Sequence, residues 1–540
     1  MRDVKSDSGG RPVSNPVNSV TARRNGIVLV VVMVVIVMVS LAGFGFVASI
    51  SHENKVVHLR GEQMQMENAL ASAEEFLKLY LSLPPNPEAT SDTDLVEQEL
   101  MRGVVVSDEA RPNSRVRFTA MAPHYDDGTG TKWQYGMLRE SGKLDLRKVL
   151  QWETEMPGQG RQSLMTLPGM TEAIAEALLD WMDSDSMPRS AGAEGDYYSS
   201  LTPPYSARNG IPLSLEELLL VKGVTRSLLY GSDTNQNHRI DLDEQAAGLD
   251  PVQQDVSGGK HIPWVELLTL YSDERNSSSS GQPRVNLNQM DLSQLHRQLS
   301  SAVDPEFANF VVLYRQNGPG PAGGRPIELR SVRVDFRIPA RFSILSLVDL
   351  IQTRVSVAVP GGVAGSVEST LSNEAEKLDE SLGKVWDSVT VAPEPVLKGL
   401  ININLAPAEV LQAIPGMEKD LADQIVTSRN SSTQKSPSHD LHPCWPFTEG
   451  LTDLARMRQL VPYITVGGDV YRTQLIAFSE ASRLSQRVEL VLDASRRPVR
   501  RKYWKDLQVL GRGYPWDVID TPGGISNTQT GAFNATPFGN

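Results

Sequence analysis

Apolar and charged positions are distributed very unevenly at the start of the chain. The 24 residues from 27 to 50 include no charged side chain, and apolar residues then recur at helical spacing as far as Leu81. A helix of 24 residues is about 36 Å long, which is enough to cross a bilayer. The pattern predicts one helix over 27–82, with its first half in a membrane. The alternative is a membrane anchor followed by a separate helix, with the break at Gly61.

The residues that precede this helix are basic. Residues 1–26 carry five arginine or lysine residues against Asp3 and Asp7. Positive charge beside a membrane helix places that end in the cytoplasm, so the bulk of the chain is expected on the far side. A cleaved signal peptide is the alternative, with Ala42, Gly43 and Gly45 as small residues near its exit. Its apolar run would be unusually long for that class.

Beyond residue 82 the chain passes through regions of strand-like and helix-like pattern. Residues 84–101 form an acidic loop in this prediction. Alternating or β-rich runs near 104–138 and again at 470–493 predict a small antiparallel sheet, whereas helical spacing dominates between them. The predicted parts are sheet strands at 100–158, a helical domain at 159–316, an extra mixed segment at 325–398, a second helical domain at 399–465, C-terminal strands at 466–515 and a disordered tail at 520–540.

A short motif recurs in the helical regions. Residues 167–170 (LPGM) and 414–417 (IPGM) share an apolar-Pro-Gly-Met pattern, and 221–224 (VKGV) is a looser copy. In each copy the glycine is expected to supply a left-handed turn between two short helices. Such a pair of helices resembles the helix-hairpin-helix and SAM-like modules.

The positions after these glycines distinguish packing from DNA binding. A DNA-binding hairpin needs a second glycine two residues on, so that bare amides can approach a phosphate. Thr171, Thr225 and Glu418 stand there instead, and a carboxylate repels phosphate. The hairpins are therefore expected to pack against other helices. Ser214 and Glu217 predict a capping box at the start of a helix before the looser copy.

The charge and the cysteine content exclude some classes of protein. The chain has 52 basic and 65 acidic residues, a formal charge of −13, and one cysteine. An acidic body argues against a nucleic-acid coat, and a single thiol excludes a disulfide framework.

A formal G-x-G-x-x-G at 318–323 contains Pro319 and Pro321, which lack the amides that would hold a phosphate. With no other catalytic motif, the chain is expected not to be an enzyme, and its acidity suits divalent cations.

Residues 233–244 match the spacing of a calcium loop of twelve residues. Its candidate ligands are the carbonyl of Arg239 and the side chains of Asp233, Asn235, Asn237, Asp241 and Glu244. Calcium prefers six to eight oxygen ligands, and this dense spacing can wrap a single ion. His238 replaces the usual glycine at the sixth position, so strain is expected there. An asparagine-rich surface loop without metal is the alternative.

Two further clusters contain possible metal ligands. Asp183, Asp185 and Glu194 follow the first hairpin and are either a second calcium site or a solvated helix end. His439, His442 and Cys444 are close in sequence and could bind a soft metal. Three ligands without a fourth favour an exposed loop for this last group.

The leader and the stretch 140–225 resemble a known family. Residues 23–26 (RRNG) are similar to a type IV prepilin leader, which prepilin peptidase cuts after the glycine, here Gly26, to leave Ile27 first. Most pilins carry glutamate at the fifth mature position, whereas this chain has Val31. The K-type minor pseudopilin of type II secretion lacks that glutamate, and residues 178–225 also resemble it.

The resemblance implies an α+β fold. It has a long N-terminal transmembrane helix, a pilin-like antiparallel sheet and an inserted α-helical domain with helix-hairpin (SAM-like) repeats. The family's members are not enzymes. They sit at the tip of the periplasmic pseudopilus with the I-type and J-type minor pseudopilins, and calcium in the helical domain is a family property.

For this chain the resemblance implies processing by prepilin peptidase and a single-pass location in a bacterial inner membrane, with the bulk of the chain periplasmic. The alternative is a membrane-anchored helix-hairpin-helix nucleic-acid-binding protein resembling competence DNA receptors. The acidic body and the missing second glycines disfavour it, so no nucleic acid is expected as a partner.

Overall fold

A computed structural model describes most of the chain. The described residues are 25–83, 100–107, 115–126, 130–241, 243–244, 262–321, 325–358, 364–371, 375–431 and 438–520. Three predictions fall largely outside these ranges, namely the basic leader, the acidic loop at 84–101 and the C-terminal tail.

The helices of the described residues differ greatly in length. They are α1 Asn25–Tyr80, α2 Leu146–Glu155, α3 Gln159–Leu164, α4 Glu172–Met182, α5 Gly195–Ser199, α6 Arg226–Tyr230, α7 Trp264–Leu267, α8 Leu292–Ala302, α9 Pro305–Asn317, α10 Ala375–Ser388, α11 Ala408–Gln412, α12 Lys419–Ser431, α13 Ser438–Leu441, α14 Trp445–Thr448, α15 Leu454–Leu460 and α16 Trp516–Ile519.

The strands are mostly short. They are β1 Val104–Ser107, β2 Val116–Asp126, β3 Gly130–Tyr135, β4 Leu138–Arg139, β5 Leu144–Asp145, β6 Leu268–Thr269, β7 Asp273–Arg275, β8 Val285–Asn286, β9 Arg325–Pro326, β10 Arg354–Ala358, β11 Ala364–Glu368, β12 Val389–Thr390, β13 Val396–Lys398, β14 Ile401–Asn402, β15 Ile464–Thr465, β16 Val470–Ser479, β17 Ser485–Asp493 and β18 Arg500–Asp506.

The long N-terminal helix expected from the sequence is confirmed. α1 continues through Gly61, so the alternative with a break there is wrong. Its stretch from Ile27 is long and apolar enough to cross a membrane. The chain divides into two compact units, Met1–Gln65 and Met66–Asn540.

The last turns of α1 pack inside the second unit. Met66, Leu70, Ala73 and Leu77 are all at most 2 % exposed and recur every three or four residues. That spacing puts them on one helix face. They share a hydrophobic cluster with inward-facing side chains of the main sheet, such as Leu475. Burial of this stripe holds the end of α1 on the sheet.

The main sheet is built from both ends of the second unit. Its strand order is β1-β2-β16-β17-β18, with β3 beside β2 and β4 beside β16, and every pairing is antiparallel. β16 is central, and all ten of its residues are buried. β2 and β16 pair directly, with Ala120 opposite Leu475, although more than 300 residues separate them. The region between β4 and β16 is therefore inserted into the sheet, as expected.

The inserted region is organised around one large core. A single cluster of buried apolar residues extends from Leu144 to Val466 and includes Trp152, Trp264 and Trp445. Short two-stranded pairings tie distant parts of this region together, for example β5 with β6 and β14 with β15. The region therefore behaves as one packed body around the hairpins.

The glycine turns of the three hairpins are confirmed. Gly169, Gly223 and Gly416 have φ angles of 69°, 83° and 82°, which is the left-handed region. Thr171 and Thr225, at the positions that a DNA-binding hairpin fills with glycine, cap the next helices by accepting from the backbone N–H of residues 174 and 228. These threonines give the hairpins a structural role.

The capping box predicted at Ser214 is wrong. The Ser214 side chain makes no cap hydrogen bond, and the following element, Leu215–Leu220, is a 3-10 helix. Glu217 turns away and accepts from the Leu213 N–H at 3.0 Å and the Trp181 indole at 3.2 Å. Tertiary contacts thus redirect a side chain whose local pattern predicts a cap.

Candidate cation sites

The end of α4 and the start of α5 bring three carboxylates together. Asp183 is the residue that follows α4, and Glu194 is the one that precedes α5. One carboxylate oxygen from each of Asp183, Asp185 and Glu194 lies within 4.8 Å of the others. The structure therefore places the three residues of the sequence prediction in one cluster, called here the carboxylate cluster.

Several oxygens at this cluster are buried without a hydrogen-bond donor in the described part of the chain. They are Oδ1 of Asp183 and both carboxylate oxygens of Glu194. Oδ1 of Asn209, whose Nδ2 donates to the Asp185 carbonyl, is also buried without a partner among the described residues. Glu194 as a whole is only 4 % exposed. Buried acceptors without a partner cost free energy, and a hard cation can supply the missing interaction. The simple alternative of a solvated helix end does not account for these buried oxygens.

Asn209 is the residue that sequence reasoning missed here. Its backbone has a φ of 48°, and its Nδ2 donates to the Asp185 carbonyl at 2.6 Å. This hydrogen bond fixes the amide so that Oδ1 remains free. The Asn-Gly pair at 209–210 could have indicated a tight turn, but not a turn that returns beside Asp185.

Asp180 organises the loop around the cluster. It is fully buried and accepts hydrogen bonds from the Ala193 N–H at 2.8 Å and from Nη1 of Arg189 at 2.6 Å. A Cβ at Gly192 would lie 1.9 Å from Oδ2 of Asp180, so this position has no space for a side chain. Asp180 is thus occupied by its own loop and is not a free ligand.

The electrostatics of the cluster favour a cation. Arg189 Nη1 also contacts Asp183 Oδ2 at 2.6 Å, which neutralises part of the negative charge. Burial raises the pKa of Glu194, and the negative charges of Asp180 and Asp183 raise it further. A divalent ion would offset both effects, since it favours the ionised carboxylates. The all-oxygen donor set suits calcium or magnesium.

The loop at 233–244 adopts a turn around its first carboxylate. Asp233 accepts from the backbone N–H groups of Asn237 at 3.1 Å and His238 at 2.7 Å. Burial is the main cause that raises the Asp233 pKa to about 7. These hydrogen bonds to Asp233 close the loop on itself.

The remaining candidate ligands lie on the inner side of the same loop. Nδ2 of Asn235 and of Asn237 each donate to Asp241 Oδ2 at 2.9 Å. Glu244 reaches back and accepts from the N–H groups of Thr234 at 2.8 Å and Asp241 at 2.9 Å. The side chains of Asn235, Asn237 and Asp241 therefore meet, whereas those of Asp233 and Glu244 are directed at backbone N–H groups of the loop. Oδ1 of Asn235 is buried without a partner among the described residues. This donor set fits a calcium ion.

His238 shows how the loop does without its usual glycine. Its φ is 63°, so the backbone keeps the left-handed turn that glycine normally provides. Gln474 donates to His238 Nε2 at 3.0 Å, and Nδ1 pairs with Glu266. Burial lowers the pKa of His238 to about 3 and raises that of Glu266 to about 8. Side-chain contacts thus hold the strained backbone predicted here.

The outer side of the loop contacts the main sheet. The carbonyls of residues 235, 236 and 237 accept from Arg487 at 2.5 Å, Gln474 at 2.8 Å and Trp133 at 2.8 Å, in that order. Asn237 also donates to the Gly513 carbonyl at 2.6 Å. The candidate cation loop therefore forms part of the junction between the inserted region and the sheet.

The His439, His442 and Cys444 group does not form a metal site in the described residues. All three side chains are buried, so the expectation of an exposed loop is also wrong. His439 pairs with Glu449 at 2.6 Å and stacks on Trp445 with ring centroids 4.0 Å apart. His442 lies 3.2 Å from Asp379. Stacking on Trp445 and the contact with Glu449 hold His439 in the interior of the inserted region.

The predicted processing site lies at the start of α1. The helix begins at Asn25 and so includes Gly26, and Ile27 is 69 % exposed. Residues 1–24 lie outside the described ranges.

Comparisons with known proteins find similarity to components of type II secretion systems. The family model described as type II secretion system (T2SS), protein K, matches residues 142–230. A putative type II secretion system protein K of Escherichia coli (strain K12) is 30 % identical over 111 residues, which is 19 % of this chain and 34 % of that protein. Type II secretion system protein K of Aeromonas hydrophila is 45 % identical over 56 residues, 10 % of this chain and 17 % of that protein.

The alignments therefore span about a third or less of these relatives. Among solved structures, the GspK-GspI-GspJ complex from the enterotoxigenic Escherichia coli Type 2 Secretion System covers 82 % of this chain and 98 % of its own. The identity is 10 % and the TM-score 0.34. The similarity is strongest in residues 142–230, which contain α4, the carboxylate cluster and two of the hairpins and which match the model of the type II secretion system protein K family.

Proposed function

We propose that the chain is a minor pseudopilin of a type II protein secretion system and caps the tip of the periplasmic pseudopilus with I-type and J-type minor pseudopilins. The supporting observation is the position of the matched domain. All of it is inserted between two paired strands, β2 and β16, of a sheet that packs on the end of α1. No reaction is assigned to the chain.

The proposed mechanism is structural. α1 anchors the subunit in the inner membrane, and prepilin peptidase cuts between Gly26 and Ile27 to remove the basic leader. The exposed valine- and isoleucine-rich side chains of α1 then pack against the helices of neighbouring subunits. The inserted region is bulky, so addition of a further subunit above it is unfavourable, which fits a cap.

Calcium is proposed as a cofactor at both candidate sites. Asp183, Asp185, Glu194 and Asn209 would hold it at the carboxylate cluster, and the residues named above would hold it in the loop 233–244. A bound ion supplies positive charge to buried oxygens. Residues of the chain hold the backbone of both sites in place: Asp180 fixes the loop beside the cluster, and Arg487 and Gln474 fix the outer side of the loop 233–244.

No specific observation favours the nucleic-acid receptor. Thr171 and Thr225 cap helices, and Glu418 forms an ion pair with Arg456. A carboxylate at that turn opposes phosphate binding.

The first experiment is the N-terminal sequence and mass of the protein purified from its native membrane. The proposal expects a mature chain that starts at Ile27. An intact Met1 in a functional complex, or a cut near Gly45, would contradict prepilin processing. Co-purification of the full chain with the I-type and J-type proteins then tests the assembly, and their absence from a stable complex would count against the tip position.

Calcium binding can be tested site by site with terbium luminescence. Trp181 lies in α4 beside the carboxylate cluster, and Trp133 contacts the loop 233–244. We expect Asp183→Asn with Glu194→Gln to remove the signal sensitised by Trp181 and to leave that from Trp133. The matched control is Glu155→Gln, an exposed carboxylate of α2. Equal signals in all variants would exclude the assigned ligands.

A further inference from the structure

The segment 325–345 has an unusual composition for this chain. It contains five arginines and two acidic residues, a net charge of +3 in a protein of charge −13. It begins with β9, contains the short 3-10 helix Leu329–Ser331 and ends just before the 3-10 helix Leu347–Leu350. It also lies outside the residues matched by the family domain. We call it the arginine segment.

The arginine segment exposes large apolar side chains. Phe336, Ile338, Phe342 and Leu345 are 42 %, 39 %, 42 % and 82 % exposed. Isolated exposed apolar residues are ordinary, but four within ten residues require an explanation.

The backbone beneath these side chains is held firmly by the end of α9. The Arg315 carbonyl accepts from the N–H groups of Arg341 at 2.7 Å and Phe342 at 3.0 Å. Nε2 of Gln316 donates to the carbonyls of Asp335 at 2.9 Å and Ile338 at 3.0 Å. Arg315 and Gln316 are themselves only 3 % and 2 % exposed. The exposed residues are therefore gathered around one helix end on a fixed backbone.

A second anchor fixes the far end of the segment. Asn288 and Ile344 exchange two hydrogen bonds, each of 2.9 Å. Leu345 follows directly. A backbone that is ordered before binding reduces the entropy lost on association. The apolar side chains thus have the rigidity expected of a recognition surface.

The segment that carries the apolar residues also carries arginines with no carboxylate partner. Arg330 pairs with Glu306 and Arg337 with Asp335, but Arg333 and Arg341 have no carboxylate within 4 Å in the described ranges. Arginine and aromatic residues are the side chains that are enriched at protein interfaces and at their energetic centres.

We infer that the arginine segment is a docking surface for a different protein that presents an apolar patch rimmed by Asp and Glu. The charges argue against a second copy, since a symmetric contact would place +3 against +3. They also argue against a lipid surface, because two of the five arginines are paired with carboxylates, and the three that remain are fewer than the cluster of about four to eight basic residues that recognises anionic membranes. The inference rests on the segment's own contacts and does not depend on the proposed function.

In-cell photo-cross-linking of the full chain tests this inference. A photoreactive phenylalanine analogue replaces Phe342 or Leu345, and the same analogue at Val509, which is 96 % exposed elsewhere, is the control position. We expect both segment positions to cross-link to one protein through a peptide rich in Asp and Glu, with no such product at Val509.

Charge reversal then separates recognition from chance contact. The double variant R333E/R341E should lower the cross-link yield about tenfold, because each rim charge then repels the partner. The control R496E/R500E changes the net charge equally at two exposed arginines in and before β18 and should leave the yield unchanged. If R333E/R341E fails to fold, L345S provides the same test, since Leu345 is largely exposed. Cross-links only to a second copy or to lipid, no cross-linked product, or yields that the segment variants do not change, would overturn the inference.

Discussion

Single side chains carry the contacts between the inserted region and the main sheet. Glu216, in the 3-10 helix Leu215–Leu220, accepts from Lys505 at 2.5 Å and from the Tyr503 hydroxyl at 3.1 Å, both on β18. It also accepts from Tyr230 at 2.8 Å. One carboxylate thereby joins an inserted helix, a hairpin and the edge of the sheet.

Glu216 should make stability depend on pH. Burial raises its pKa, but the charge of Lys505 and its hydrogen bond outweigh burial and hold the pKa at about 2. Because the pKa is lowered on folding, the stabilisation is complete above the unfolded value near 4.3 and is lost as pH falls toward 2. We expect Glu216→Gln to remove about 1–2 kcal/mol at neutral pH, after allowance for partial exposure, and to flatten the acid limb. Thermal unfolding between pH 2 and 7 measures this, and an unchanged acid limb would contradict the assignment.

Gly192 provides a second test at this scale. A Cβ there would collide with Asp180, so Gly192→Ala should displace the loop beside the carboxylate cluster. We expect a loss of about 1–3 kcal/mol of unfolding free energy, as for other overpacked sites. Gly195→Ala is the matched control, because nothing lies within 4 Å of its Cβ. Equal unfolding free energies of the two variants would show that the loop moves aside without a loss of stability.

At the scale of elements, β16 is the strand on which the second unit depends. It pairs with β2, β4 and β17, and its Arg472 is buried between carboxylates from two other elements. Arg472 contacts Glu140 at 2.8 and 3.0 Å and also pairs with Glu489 on β17. The ion pairs therefore connect the inserted region, which begins beside Glu140, to the centre of the sheet.

Loss of the Arg472 charge should be severe. Arg472→Met leaves Glu140 and Glu489 buried without their main partner, and breaking such a buried pair costs about 3–5 kcal/mol. Glu140→Gln and Glu489→Gln added to the same chain should recover part of that loss, since they remove the uncompensated charges. Chemical denaturation of the three chains provides the measurement. A triple variant no more stable than Arg472→Met would show that geometry, not charge, matters here.

At the scale of the whole molecule, the sheet requires strands from distant parts of the sequence. β1 to β4 come before the inserted region, and β16 to β18 come after it. The hydrophobic side of the sheet that receives α1 includes residues of both groups, such as Phe118 and Leu475. Neither group forms that surface alone.

Truncation tests this dependence. A chain that ends at Val466 lacks β16 to β18, so β2 loses its partner and α1 loses most of its packing surface. We expect cleavage within β1 and β2 of this truncated chain in detergent solution, while the same two strands in the full chain stay resistant. Equal resistance would show that the first strands fold without the last.

Many features could be predicted because their signals are local. The uncharged run at 27–50 predicts α1, alternation predicts β16 and β17, and the ligand spacing predicts the loop 233–244. The capping box at Ser214 and the exposed loop at 439–444 were wrong for the opposite reason. The local sequence at each site is compatible with the predicted structure, but contacts with distant residues, which the local pattern does not contain, decide where those side chains point.

The sequence by itself determined the long apolar N-terminal helix, the glycine turns of the hairpins and the identity of the candidate ligands, since each depends on neighbours a few residues away. Tertiary structure alone decided that Asn209 lies beside Asp185, that β2 pairs with β16 and that the loop 233–244 packs on the sheet. These contacts join residues that are 24 to more than 300 positions apart. No periodicity encodes such pairs, because they arise only when separate apolar surfaces are buried together.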